Sequence, residues 1–298
     1  TDFVQDTLKM ELSQEKTLIT HSNTPMEHEN MKTFIIEATD TFLHGRQYGD
    51  DGSPVGLIHG ACVDADFWND CAAHLSKHHR VFTYDRRGYG RNEETDDHSI
   101  HIQAEDACRL IRLIGEPCFV VGHSAGSLVA MELALTHPEL IRSIFLYEPV
   151  KNDLLDGEHS DVIDAYKQAM EEVTAKAENR KYAKAVTLFL PLMGEKDSRA
   201  RAASDGELEH MFKNCFCFVK HELSELHDYQ PDYDRISRLG IPITLGLGEN
   251  SRGSAREPMA QILVEKLKAD LLYFPGGHNC PYDLPREFTC LLEGNITY

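Results

Sequence analysis

The chain has 298 residues, 41% of them hydrophobic, and a formal charge of −19. That length holds one large domain with an insertion, or two small domains, around a real core. A balance this acidic argues against nucleic acid or an anionic membrane as partner, because both bind a basic face. A small molecule remains as the expected ligand.

Residues 1–30 read as an N-terminal extension. The stretch 1–29 is polar and acidic and has no apolar h-region, so it does not read as a secretory signal. Val4, Leu8 and Leu12 recur at i, i+4 and i+8, which suits a short docked helix or a loose tail equally. Beta-rich runs follow at 32–38, 41–48 and 54–59. Strands then alternate with helices: a strand at 81–84, a helix marked by Ile100, Ala104, Ala107, Cys108, Ile111 and Ile114, a strand at 117–121, a helix at 128–135 and a strand at 144–147. Alternation of this kind predicts a parallel sheet whose buried strands are continuous apolar runs.

From 151 to 235 no strand is predicted. Val162, Tyr166, Ala169, Val173 and Ala177 form one helical stripe. Leu208, Met211, Phe212, Cys215, Phe216, Val219, Leu223 and Leu226 form another. A helical block between two strands reads as a cap over the sheet edge, and Phe189, Met193, Phe212, Phe216 and Phe218 offer apolar surface to a cleft beneath it. Alternation resumes with a strand at 241–247, a helix at 257–268, a strand at 271–274 and a helix at 286–293. The expected division is 31–150 with 236–298 as core and 151–235 as cap.

No apolar run approaches the ~20 residues of a bilayer span. Eight cysteines are scattered without a C-x-x-C pair. The closest two, Cys215 and Cys217, fall on a predicted helix where i and i+2 point apart. A chain with unpatterned cysteines and no signal reads as reduced and cytoplasmic. Sixteen histidines come without an H-E-x-x-H; His74, His78 and His79 read as solvated residues near a helix end. No metal and no cofactor are expected, and the oligomeric state is open.

Gly122-His123-Ser124-Ala125-Gly126 lies between a predicted strand and a predicted helix. A G-x-S-x-G in that setting is a nucleophile elbow, with the serine exposed on a sharp turn above the sheet. Serine needs a base to take its proton, and His278, in Gly276-Gly277-His278 after a late strand, suits that task. A tetrahedral oxyanion needs backbone N–H donors. Ala125 supplies one at the start of the helix, and Ala61, in His59-Gly60-Ala61-Cys62, is the expected second. Cys62 could line the pocket but reads as packing.

Together with Asp85-Arg86-Arg87-Gly88-Tyr89-Gly90, these motifs resemble, in order, the α/β-hydrolase fold superfamily, from about Met31 to the C-terminus. The resemblance implies a mostly parallel eight-stranded sheet flanked by helices, with a helical cap inserted after strand six. It makes Asp85 a turn residue rather than a catalytic one. Many members carry the triad acid after the strand that follows the cap, where this chain has Gly248-Glu249-Asn250-Ser251 and places Ser251 at the acid's position. Two carboxylates therefore compete. Glu249 lies near the position in the wrong register. Glu148 ends the strand at 144–147; part of the superfamily, including zearalenone lactonase, has its acid there, and in that lactonase it is a glutamate. Ser124 argues against the aspartate-based dehalogenases and epoxide hydrolases of this fold. It implies acyl transfer on an ester or lactone of a mid-sized, largely apolar substrate. A retro-Claisen C–C hydrolase and a slow-turnover ligand-binding protein of the same fold are the alternatives.

Overall fold

The computed structural model describes residues 31–193 and 205–296. The N-terminal extension, with Val4, Leu8 and Leu12, lies outside them. Strands β1 (Met31–Glu37) and β2 (Phe42–Tyr48) form an antiparallel hairpin closed by an Ala38 N–H to Thr41 carbonyl bond of 2.9 Å. There follow β3 (Ser53–Ile58), α1 (Asn69–Leu75), β4 (His79–Tyr84), α2 (Ile100–Ile114), β5 (Cys118–His123), α3 (Ala125–Thr136) and β6 (Ile141–Tyr147). The sheet has eight strands in the order β1-β2-β4-β3-β5-β6-β7-β8. Only the β1–β2 and β2–β4 pairings are antiparallel.

Every residue of β5 is buried. Its period-two alternation feeds both faces of the sheet. Cys118 and Val120 pack with Ala104, Leu128 and Met131 of α2 and α3, while Phe119 and Val121 pack with Trp68, Phe145 and Phe288 on the other side. Helix α2 starts at Ser99, whose hydroxyl accepts the Ile102 N–H, and stops at Gly115 with φ 83°. Because β3 has β4 on one side and β5 on the other, the chain changes winding direction there. In an open α/β sheet the crevice at such a switch point, beyond the carboxyl ends of the strands, is where ligands bind.

Between β6 and β7 (Ile243–Gly248) lies a block of helices: α4 (Asp161–Glu178), α5 (Tyr182–Phe189), α6 (Asp205–Cys217), α7 (Leu223–Asp228) and α8 (Tyr233–Ile236). Helices α6 and α7 are joined by a π-helical turn, Phe218–Glu222. After β7 come α9 (Arg256–Leu267), β8 (Asp270–Phe274), α10 (Cys280–Asp283) and α11 (Pro285–Glu293). The inserted helices pack on the sheet edge through Met170, Val173, Phe218 and Val219, against Ala61, Cys62, Tyr89 and Ala125. Asn214 of α6 donates to Asp64 at 2.8 Å and accepts from the Gly90 N–H at 3.0 Å.

Three expectations are corrected. The buried face of α4 runs through Ile163, Met170 and Val173, leaving Val162 exposed. Phe212 and Phe216 are 50% and 41% exposed; the buried face of α6 instead carries Asn214, Cys215 and Cys217. His79 is not a solvated helix-end residue: it opens β4 and is buried, while His78 beside it is exposed.

Candidate active site

Ser124 sits between β5 and α3 with φ 52° and ψ −120°, a conformation that costs a residue with a Cβ on the order of 1–3 kcal/mol. It is held there by its own N–H on the Tyr147 carbonyl (2.9 Å) and its carbonyl on the Ser127 N–H (3.0 Å). The flanking glycines are steric requirements. A Cβ on Gly122 would lie 2.7 Å from the Gly126 carbonyl oxygen, and one on Gly126 would lie 2.6 Å from the carbonyl oxygens of Ile58 and His59.

His278 follows β8 through Gly276, which has φ 80°. Its backbone is tied to the elbow strand and to β6: the His278 carbonyl lies 3.0 Å from His123 Nε2, and Gly277 accepts the Tyr147 hydroxyl at 2.8 Å. The imidazole Nδ1 lies 2.8 Å from Glu148 Oε2. Glu148 has φ 43°, is 1% exposed, and accepts the Gly248 N–H on Oε1 at 2.8 Å. Burial pushes its carboxyl up, but His278, Arg256 and Ser251 together hold it below the usual carboxylate range. Arg256 Nε is 3.4 Å from Oε2.

The structure thus brings Ser124, His278, Glu148, Ala61 and Ala125 to one edge and leaves Glu249 out. Glu249 is exposed and ion-paired with Arg252 at 2.9 Å. Asp85 is buried and spends both oxygens on backbone, accepting Ala65 N–H at 2.9 Å and Arg91 N–H at 3.0 Å. Cys62 is buried at φ 61° against Ala61, Tyr89 and Cys217, as packing.

Above Ser124 opens a cleft with about 770 Å³ of empty space, open solvent included. Ala61, Ser124, Ala125 and His278 form its floor, and Met170, Phe189, Met193, Phe218 and Leu223 form its apolar wall. Phe212 and Phe216 take no part in it. Sequence reasoning missed two cations here. Lys151, at the foot of the inserted block, is paired with Asp153 at 2.7 Å and donates to the His227 carbonyl at 3.0 Å. Arg256 reaches from Glu148 to the Leu192 carbonyl at 2.8 Å. Neither stands in a motif. Among the described residues one cluster has metal-ligand chemistry: Glu105, Cys108 and His137, with ligand atoms within 4.8 Å of one another. It lies at the far end of α3 from Ser124. His137 Nε2 is already 2.9 Å from Glu105, and burial pushes the Cys108 thiol up to about 11, which disfavours the thiolate a metal takes.

Residues 57–289 match the family model of the alpha/beta hydrolase family. The chain belongs to this family. Among curated relatives, this alpha/beta hydrolase is 25% identical over 246 residues to the uncharacterized hydrolase YraK of Bacillus subtilis (strain 168), covering 80% of this chain and 86% of that one. Solved structures share its fold. The enol-lactonase from Burkholderia xenovorans LB400 aligns with a TM-score of 0.66 at 17% identity, over 89% of this chain and all of that one. The esterase EaEST from Exiguobacterium antarcticum aligns with a TM-score of 0.70 at 18% identity, over 88% and 98%. No helix among the described residues is long and apolar enough to cross a membrane.

Proposed function

We propose that this hydrolase cleaves a carboxylic ester or lactone through an acyl-enzyme on Ser124, with His278 as base and Glu148 as the triad acid. The observation that carries this reading is the 2.8 Å contact of His278 Nδ1 with buried Glu148, on a histidine that shares a cleft floor with a strained Ser124. Glu148 can only accept at Oε2 while ionised, so Nδ1 bears hydrogen and Nε2 is left to take the serine proton. Ser124 Oγ attacks the carbonyl carbon, and the oxyanion settles on the N–H groups of Ala61 and Ala125. The imidazolium, stabilised by Glu148, returns its proton to the leaving oxygen. Water, deprotonated by His278, then releases the acyl group as a carboxylate.

The inserted helices act in this reading as a cap that sets substrate size. Both cations in the cleft have anionic partners, Lys151 with Asp153 and Arg256 with Glu148, so the apolar wall favours an uncharged, largely apolar acyl group or lactone. The names of the fold neighbours, a lactonase and an esterase, support the same substrate class. The test is hydrolysis of p-nitrophenyl butyrate and of medium-chain lactones by wild type and Ser124→Ala. Turnover abolished by the substitution is expected. Cleavage of a vinylogous diketone with no ester or lactone turnover would replace this reading with C–C hydrolysis. Stoichiometric acylation without turnover would replace it with slow-turnover ligand binding.

A further inference from the structure

The peptide between Gly60 and Ala61 carries the expected second oxyanion donor, and its other end is held by an unusual set of groups. In a trans peptide the carbonyl of one residue and the N–H of the next point in opposite directions within one plane. Fixing the Gly60 oxygen therefore fixes the direction of the Ala61 N–H. Two donors converge on that oxygen. His59 Nδ1 is 2.8 Å away and Arg86 Nη2 is 2.9 Å away. The backbone N–H of Arg86 points at His59 Nε2 at 2.9 Å, which makes Nε2 the acceptor and puts the ring hydrogen on Nδ1. Burial and the neighbouring guanidinium hold His59 down to about 3, so the ring stays neutral in this role.

Arg86 is itself fully buried, and its counter-ion comes from the inserted helices. Both terminal nitrogens of its guanidinium meet Glu222, which is also completely buried, and the carboxylate additionally takes Tyr89 Oη and Gln103 Nε2. Glu222 closes the π-helical turn between α6 and α7. Turns of that kind add a residue to a helix and recur at functional sites. Burying two charges is a poor route to stability, since an apolar replacement of the pair often does as well. What an apolar pair could not supply is the second donor on Gly60.

We propose that Glu222 is a positioning residue for the oxyanion hole: from the inserted helices it orients Arg86, which holds the Gly60–Ala61 peptide with its N–H toward Ser124. This rests on the serine-hydrolase reading above. In it, loss of the Glu222–Arg86 contact leaves the Gly60 oxygen held by His59 alone and weakens the hole.

The experiment compares wild type, Ser124→Ala, Glu222→Gln and a neutral set, Arg86→Met with Glu222→Leu and Tyr89→Phe. The readouts are steady-state kinetics, inhibition by an alkyl trifluoromethyl ketone, whose serine adduct places an oxyanion in the hole, and labelling by a fluorophosphonate. Glu222→Gln strands a buried cation and can be expected to destabilise the fold; the neutral set removes that penalty while still lacking the Arg86 arm. In both variants kcat is expected to fall about 10- to 100-fold, less than the 10²–10³-fold loss of a whole oxyanion donor. KM should stay within about threefold, and the ketone inhibition constant should rise in parallel with the loss of kcat/KM. A folded neutral set with wild-type kcat, or with the defect confined to KM, would overturn the proposal; so would failure of both variants to fold, which would make the network a folding element only. Fluorophosphonate labelling separates the two levels. Wild-type labelling that Ser124→Ala abolishes upholds the nucleophile whatever the network does, and an unlabelled wild type removes the hydrolase reading and this proposal with it.

Discussion

Ser251, buried just beyond β7, lies near the carboxylate of Glu148 and, with His278 and Arg256, helps to hold it below the usual carboxylate range. In the proposed serine-hydrolase reading, Ser251 stands where the resemblance places the acid, and the serine supports the glutamate proposed to replace it. The two sites lie on neighbouring strands, with Glu148 directly after β6 and Ser251 just beyond β7, and the longer glutamate arm reaches His278 from the earlier one. The cost of that reach is the left-handed backbone at Glu148.

Moving the acid tests this equivalence. Glu148→Gln keeps the shape but loses the charge that supports the imidazolium, and kcat should fall about 10²- to 10⁴-fold. Glu249→Gln, on an exposed residue, should stay within twofold. Glu148→Ser with Ser251→Asp should recover at least about tenfold over Glu148→Ser alone in ester hydrolysis. No recovery would mean that Ser251 cannot present a carboxylate to His278.

The elbow stores strain that can be released. Ser124→Gly should raise stability over Ser124→Ala by about 1–2 kcal/mol in urea unfolding, because only glycine occupies φ 52° without a Cβ penalty. Both variants should be inactive. Equal stability of the two would show that the turn carries no strain at Ser124.

Much of this was legible in the sequence because it rests on backbone geometry. Gly122 and Gly126 have no room for a Cβ, so the motif that announces the elbow is also its steric condition. The switch from paired β runs to strand–helix alternation likewise follows from burial on both faces of the sheet, as in β5. Glu148 and Glu249 could not be separated by pattern. Both follow a strand at the same sheet edge; the structure tells them apart by the buried contact of Glu148 with His278 and the exposed ion pair of Glu249 with Arg252. The inserted helices were the least legible. Their stripes gave the elements but not which side faced the cleft, because Phe212 and Phe218 differ by less than two helical turns and the π turn lies between the buried faces of α6 and α7. Nor did any motif mark Glu222 or Arg256, whose partners lie far off in the chain.

The lining of the cleft makes a sharp contrast among phenylalanines. Phe218 is buried in the apolar wall and packs on Phe189 with ring centroids 4.6 Å apart, while Phe212 is half exposed. Phe218→Ala should raise KM for medium-chain esters about 10-fold or more, in line with the loss of a large buried side chain, and lower stability by about 3–5 kcal/mol. Phe212→Ala should leave KM within twofold and stability within about 0.5 kcal/mol. Equal effects of the two on KM would place the substrate elsewhere on the inserted helices.

The contact between His210 of α6 and Asp64 makes the attachment of the inserted helices depend on pH. The Asp64 carboxylate raises His210 above its ordinary 6.5, against partial burial; Asp66 adds to the rise and Lys213 opposes it. Burial pushes Asp64 up, but hydrogen bonds from His210 and Asn214 outweigh it and hold Asp64 below its ordinary 3.8. A group raised on folding contributes its full stability below its unfolded value, and that contribution disappears as pH rises through the folded value. The Asp64 share is present above 3.8 and fades as pH falls through its lowered value. The ion pair is therefore strongest between about pH 4 and 6.5 and weakens on the alkaline side as His210 loses its proton. The His210 side chain is 41% exposed, so solvent screening limits the pair to about 1 kcal/mol or less. In urea unfolding, wild type should exceed His210→Gln by more at pH 5.5 than at pH 8.5, and 0.5 M salt should narrow the gap at pH 5.5. The difference between the two proteins cancels the other titrating groups. A gap that is constant across this range, or widens toward alkaline pH, would show that His210 binds Asp64 as a neutral ring.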